Sequence, residues 1–465
     1  MRTTKTIASL AAALLLTVST AAWSADVVLV NLDPPGVGLN DPTPATPVGG
    51  NPGTTIGEQR VNVYNKATEL WGAELDSPVP IFVGATFQPL PCAPTGGVLG
   101  AAGPTYVFRD FQGAIRPATW YVSAQADALF GAQLVNDIDI ISFFNSDIDD
   151  DDPNCLTGTS WYYGYDGAEE GDIDFLTVVM HEINHGLGHL ELVSESTGAR
   201  FAGFDDAYMF NMLDVTTGKY WNEMTDAERL ASQVNSGNLV WDGEAVNTNA
   251  ALFLGARPSV KVLNPNGLAG SYEAQPASFG PPLRENGGTT GKMVLVDDGV
   301  GVGTDGCEPI QNKISGKIAI IDRGACAFTV KVLNAQAAGA KGVIVANNQP
   351  VGPAPMGGSD PNVTIQSVGV TLDLGDELKA AAAKNSVAKL ILDGNFLAGT
   401  QNGFVRLYAP NPVAPGSSKS HWDTSATPNL LMEPSINSDL FPNTELGGTL
   451  DLSPSLLKDI GWPLL

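Results

Sequence analysis

The five residues His181-Glu182-Ile183-Asn184-His185 constrain this chain more than any other stretch of it. Side chains four apart share one face of a helix, so His181 and His185 can offer ring nitrogens to a single zinc ion at about 2.1 Å. Glu182, beside the first histidine, can then take a proton from a water activated at the metal. That is the chemistry of an H-E-x-x-H peptidase. The preceding run, 173–180, is apolar and reads as a helix buried on most sides, where an unpartnered polar group costs a few kcal/mol. Histidine is scarce. There are four in all; His181, His185 and His189 fall within nine residues, and His421 stands far from them. A helix with merely hydrogen-bonded core histidines is the plain alternative.

The N-terminus has the pattern of a cleaved secretory signal over 1–24. Arg2 and Lys5 precede an apolar core at 7–18, and Ala22-Trp23-Ser24 precedes Ala25. The core is shorter than the ~20 residues of a membrane span, so a secreted protein (extracellular or periplasmic), free of the membrane, is expected. The formal charge is −26, and loss of Arg2 and Lys5 leaves 22 basic against 50 acidic residues, −28. Such an acidic surface repels nucleic acid and anionic membranes. The motif makes proteins or peptides the expected partners.

Along the chain a strand is expected at 26–32, a helix at 55–75, and strands at 79–87 and 137–144, before the motif helix. Residues 145–154 gather Asp147, Asp149, Asp150, Asp151 and Asp152. Carboxylates at this density could bind calcium or form a solvated acidic loop; their spacing does not match an EF-hand. The character changes near Ala256. From 265 to 395, short apolar strands (317–322, 341–348) alternate with helices (328–338, 376–384), and no acid, base or nucleophile cluster occurs there.

This segment resembles the protease-associated domain. The resemblance rests on Gly316 to Gly324, Cys326-Ala327-Phe328, Lys331, Ala335, Gly339-Ala340 and the strand 342–347. It implies a non-catalytic α/β module that shapes substrate access or mediates protein contacts, inserted in or appended to an enzyme. The four cysteines, Cys92, Cys155, Cys307 and Cys326, allow three pairings in an exported chain. Cys92–Cys155 with Cys307–Cys326 keeps each bond within one unit. No Cys-x-x-Cys occurs, which argues against a cysteine zinc site.

A catalytic zinc commonly takes three protein ligands and a water, and three residues compete for the third place. His189 on a straight helix would lie about 12 Å from His181 along the axis, beyond reach of one ion. Glu191 falls at the last position of the metzincin pattern H-E-x-x-H-x-x-G-x-x-H, with Gly188 at its glycine. His421 opens a Ser420-His421-Trp422 segment, followed by Leu431-Met432-Glu433-Pro434. This arrangement resembles leishmanolysin-like metzincins, in which a large insertion separates the second and third histidines and a methionine turn follows the third. His189 departs from that pattern, which has an aromatic residue there. The resemblance implies zinc, one per chain, on His181, His185 and His421, with Glu182 as base and Met432 as packing support.

The expected fold is therefore α+β: a metzincin-like zinc peptidase domain (25–264 and 396–465) interrupted by an inserted α/β protease-associated domain (265–395). The expected activity is that of a secreted zinc-dependent metalloendopeptidase. The competing expectation is a non-catalytic pseudopeptidase that binds proteins through the inserted domain.

Overall fold

The computed structural model describes residues 24–149, 153–263, 268–350, 352–436 and 451–465. Apart from Ser24, the expected signal segment lies outside these residues, as do 150–152 of the acidic loop. No helix among the described residues is long and apolar enough to cross a membrane.

The larger body is built on a four-stranded sheet. Val27–Asn31, Ile81–Gln88 and Ile140–Asn145 run parallel, and Gly100–Pro104 closes one side as an antiparallel edge. The helix Ile56–Glu74 starts at Thr55, whose side chain accepts the Glu58 amide, and buries Val63, Tyr64, Ala67 and Trp71. Those positions recur at helical spacing, which is what makes one apolar face. Trp71 Nε1 donates to the Met180 carbonyl at 3.1 Å and so ties this helix to the motif helix.

The motif helix spans Phe175–Leu187. It begins two residues after the sequence suggests, because Ile173–Asp174 first pairs with Trp161–Tyr162 and the Asp174 side chain then caps the Thr177 amide. Phe175 wedges the helix start among Phe87, Phe144, Trp161 and Tyr163, ring centres 5.0–5.5 Å apart. Gly188, at φ 117°, ends the helix in a left-handed turn that a Cβ would strain. In the acidic loop, Asp149 is taken up by Arg60 (3.0 Å), the Tyr163 hydroxyl and the Trp161 amide, a structural use of that carboxylate.

A five-stranded sheet joins chain from both sides of the insertion. Lys219–Tyr220, Met212–Asp214 and Leu239–Trp241 continue into Phe404–Arg406 and Thr400–Gln401. The last helix, Ser453–Asp459, returns to the motif helix: Trp462 Nε1 donates to the Leu187 carbonyl at 2.6 Å. Cys92 is bonded to Cys155 in this body, and Cys307 to Cys326 in the insertion.

The insertion is a separate eight-stranded sheet with its own two cores. Its parallel centre is Thr289–Leu295, Ile318–Asp322, Gly342–Ala346 and Gln366–Val370. Both faces are covered. Ile318 and Ile320 join Leu378 and Ala381 of the helix Leu372–Ala382, while Ala319 and Ile321 join Val332 and Ala335 of Phe328–Ala337. Strands buried on both faces read as continuous apolar runs, which is why they stood out in the sequence. The expected start at 265 and end at 395 fall inside the unit. Ala256–Val262 and Val387–Leu397 pair with each other in the same sheet, and the Ala398 amide donates to the Gly255 carbonyl at 2.9 Å where the chain enters and leaves.

Candidate metal centre

One helical turn brings His181 and His185 to the same face, with their Nε2 atoms 3.2 Å apart. The segment after the insertion brings in His421, whose Nε2 lies 3.1 Å from that of His181 and 3.3 Å from that of His185. Each ring is fixed from behind by a backbone carbonyl: Nδ1 of His181 on Leu431 (2.7 Å), of His185 on His189 (2.8 Å) and of His421 on Ser417 (2.8 Å). A carbonyl only accepts, so each Nδ1 carries the proton and each Nε2 turns a lone pair inward.

Burial keeps the rings neutral. Desolvation lowers His181 to about 4 and His185 to about 3, and holds His421 well below its ordinary value. Three buried lone pairs therefore converge with no proton between them, which a cation resolves. Zinc at about 2.0–2.1 Å from tetrahedral nitrogens sets them about 3.4 Å apart, close to the spacing found. The trio fits the ion.

Glu182 is 6% exposed and sits beside the trio. Burial pushes its carboxyl up to about 8, and the Ala102 backbone amide pulls the other way. A cation on the neighbouring imidazoles would act in the same direction as that amide. Ala102 belongs to the edge strand Gly100–Pro104, which crosses directly over Glu182: a Cβ built on Gly100 would lie 3.0 Å from Glu182 Cγ and Oε1. This strand escapes the sequence reading because Gly-Ala-Ala-Gly-Pro holds no β-branched or aromatic residue. Only its pairing with Ile140–Asn145 makes it a strand.

The other two candidates for the third ligand are engaged elsewhere. His189 is fully buried, edge-on to Trp422 at 5.3 Å, and its carbonyl rather than its ring serves the site by holding His185. Glu191 is buried against Lys419, Nζ to carboxylate 3.1 Å, and accepts the Val193 amide. Lys419 itself is 0% exposed and sits at φ 77°, a left-handed conformation costly for a non-glycine residue. The ion pair with Glu191 anchors it two residues before His421.

Met432 is fully buried in the turn 430–433. The Trp422 amide donates to its carbonyl at 2.8 Å, and the adjacent Leu431 carbonyl orients His181. The trio and Glu182 open onto a cleft of about 860 Å³. Residues 100–102 of the edge strand line it, as do residues 415–417, 420–421 and 433–436.

Residues 259–378 match the PA domain family, so the chain contains a PA domain. The chain is 51% identical over 45 residues to signal peptide peptidase-like 2 of Arabidopsis thaliana, covering 10% of this chain and 8% of that one. It is 32% identical over 156 residues to vacuolar-sorting receptor 7 of the same plant (30% and 24%). To vacuolar-sorting receptor 1 of Pisum sativum it is 28% identical over 160 residues (31% and 25%). The chain thus spans a quarter or less of these relatives. Among solved structures, BSAP, a zinc aminopeptidase from Bacillus subtilis, is 26% identical over 30% of each chain, with a TM-score of 0.23. An aminopeptidase from Aneurinibacillus sp. strain AM-1 is 27% identical over 30% of this chain and 31% of that one, also at 0.23.

Proposed function

We propose that this protein is an exported zinc endopeptidase of metzincin type, resembling the leishmanolysin-like enzymes, with a PA domain inserted between its second and third metal ligands. The observation that carries this is the convergence of the His181, His185 and His421 Nε2 atoms at 3.1–3.3 Å with Glu182 alongside. Bound there, zinc would supply Lewis-acid polarisation of the scissile carbonyl and acidify a water.

The chain's own groups do the rest. The three carbonyls behind the imidazoles hold the rings in one tautomer and orientation. Glu182, as carboxylate, takes the proton of the attacking water and passes it to the leaving amine. Among the described residues Gly100–Pro104 ends its sheet, so its outer edge can take up an extended peptide by strand addition. That geometry suits a stretch of polypeptide lying across the cleft. Met432 contributes packing to the turn that presents Leu431. Two disulfides and the signal-like N-terminus support export.

The vacuolar-sorting receptor relatives support a second reading, in which the PA domain holds a protein partner and the larger body does not hydrolyse it. One substitution separates the two. Glu182→Gln keeps the shape and the zinc but removes the base, so casein hydrolysis should fall by about 10²–10⁴-fold. Zinc-loaded wild type without hydrolytic activity on casein or a peptide library would favour the binding role.

A further inference from the structure

We propose that the PA domain carries a calcium site of its own, formed by Asp298, Asp305 and Glu308. These residues belong to the connection between the strands Thr289–Leu295 and Ile318–Asp322, remote in sequence from the histidine trio. Its first part is glycine-rich, and Gly299, Gly301, Gly303 and Gly306 all take positive φ, between 54° and 73°. Such turns let a short loop fold back on itself. The Asp298 amide donates to the Gly303 carbonyl and the Gly303 amide to Val300, each at 2.8 Å. The fold-back sets the Asp298 side chain against Asp305, and the disulfide at Cys307 fixes Glu308 next to them.

One carboxylate oxygen from each of the three residues lies within 4.8 Å of the others. Oxygens bonded to one calcium at 2.3–2.6 Å can be at most about 5 Å apart, so a single ion can touch all three. The decisive observation is Asp298, which is 1% exposed. Its Oδ1 accepts the Val300 amide at 3.2 Å, but its Oδ2 is buried without a hydrogen-bond partner. A buried carboxylate oxygen left unpaired is costly, and here it faces a second carboxylate. Burial works to raise the Asp298 pKa, but hydrogen bonds led by the Val300 amide outweigh it and leave the group below its usual value, in charged form.

The buried Lys331 faces the cluster without ligating it. Its Nζ donates to the Asp305 backbone carbonyl at 2.5 Å. Asp305, Asp298 and Glu308 act on it as charges, but among the described residues it forms no ion pair within 4.0 Å with any of them. The donor set is all oxygen, which selects a hard cation over zinc or copper. Glu308 is exposed and leaves one side open for water, as calcium coordination of six to eight oxygens requires.

Calorimetric titration of the full-length protein with calcium chloride, in decalcified buffer, tests the proposal. The wild type should bind calcium with a dissociation constant of about 10⁻⁴–10⁻³ M, the range of extracellular modules. Glu308→Gln, at an exposed position that does not disturb the fold, should weaken this about tenfold, as loss of one of three charged ligands implies. Asp298→Asn with Asp305→Asn should abolish it, with circular dichroism confirming the fold. Absence of binding to the wild type up to about 10 mM calcium, tighter binding of magnesium than of calcium, or unchanged binding in Glu308→Gln would each overturn the assignment. The last result would move the ion elsewhere, the acidic loop at 145–154 included.

Discussion

Gly100→Ala is expected to slow peptide hydrolysis without removing the metal. The added methyl would sit 3.0 Å from both Cγ and Oε1 of Glu182, whereas ordinary contact begins near 3.4 Å. The carboxylate must therefore shift by roughly 0.4 Å, the difference of those two distances. A misplacement of about 1 Å in a catalytic constellation can cost about 10²-fold, so a shift of this size should lower kcat about tenfold, or about 1.4 kcal/mol of barrier. The strand itself should not suffer. Gly100 is not at positive φ, and Gly→Ala at a compatible position stabilises by about 0.4–1 kcal/mol through the unfolded chain. Gly103→Ala is the matched control: it lies in the same strand, and a Cβ there meets nothing within 4 Å. The assay is kcat on a quenched-fluorescence peptide, with zinc content by mass spectrometry and thermal unfolding on the same samples. Full kcat in Gly100→Ala, or an equal loss in Gly103→Ala, would refute the claim that this strand sets the position of Glu182.

Three further outcomes are expected. His421→Ala should release zinc, measured by equilibrium dialysis, while His189→Ala, which keeps the backbone carbonyl that holds His185, should retain it; the reverse pattern would exclude the trio as the metal site. Asp139 is raised to about 7, chiefly by burial with Asp127 adjacent. Its folded pKa thus exceeds the unfolded value, and its contribution to stability is present at low pH and lost as pH rises through about 7. Urea midpoints of wild type minus Asp139→Asn should accordingly increase on acidification from neutral pH toward pH 4, and a flat difference would contradict this. Removing the Cys307–Cys326 bond, which spans 19 residues, should cost the PA domain about 3 kcal/mol by loop entropy, read as an earlier transition in calorimetry.

What the sequence determines by itself is whatever depends on local spacing. The His181/His185 pair with Glu182 follows from the helical repeat, and the helix Ile56–Glu74 from its apolar face and Thr55 cap. The PA strands are legible because burial on both faces writes a continuous apolar run. His421 stands out through the scarcity of histidine, the poorer fit of His189 and Glu191, its Trp422 neighbour with the Met432 turn, and a resemblance, since no local rule links residues 236 apart.

Tertiary structure alone decides the rest. Nothing in Gly-Ala-Ala-Gly-Pro announces a strand; its neighbour Ile140–Asn145 makes it one and lays it over Glu182. Glu191 matches a metal-ligand position in the sequence, yet Lys419, more than 200 residues later, is the charge it meets. The carbonyls of Leu431, His189 and Ser417 carry no side-chain signature at all, although they fix which nitrogen of each imidazole faces inward. Backbone acceptors and long-range ion pairs are placed by packing between distant segments, and that packing is invisible to any pattern shorter than the fold itself.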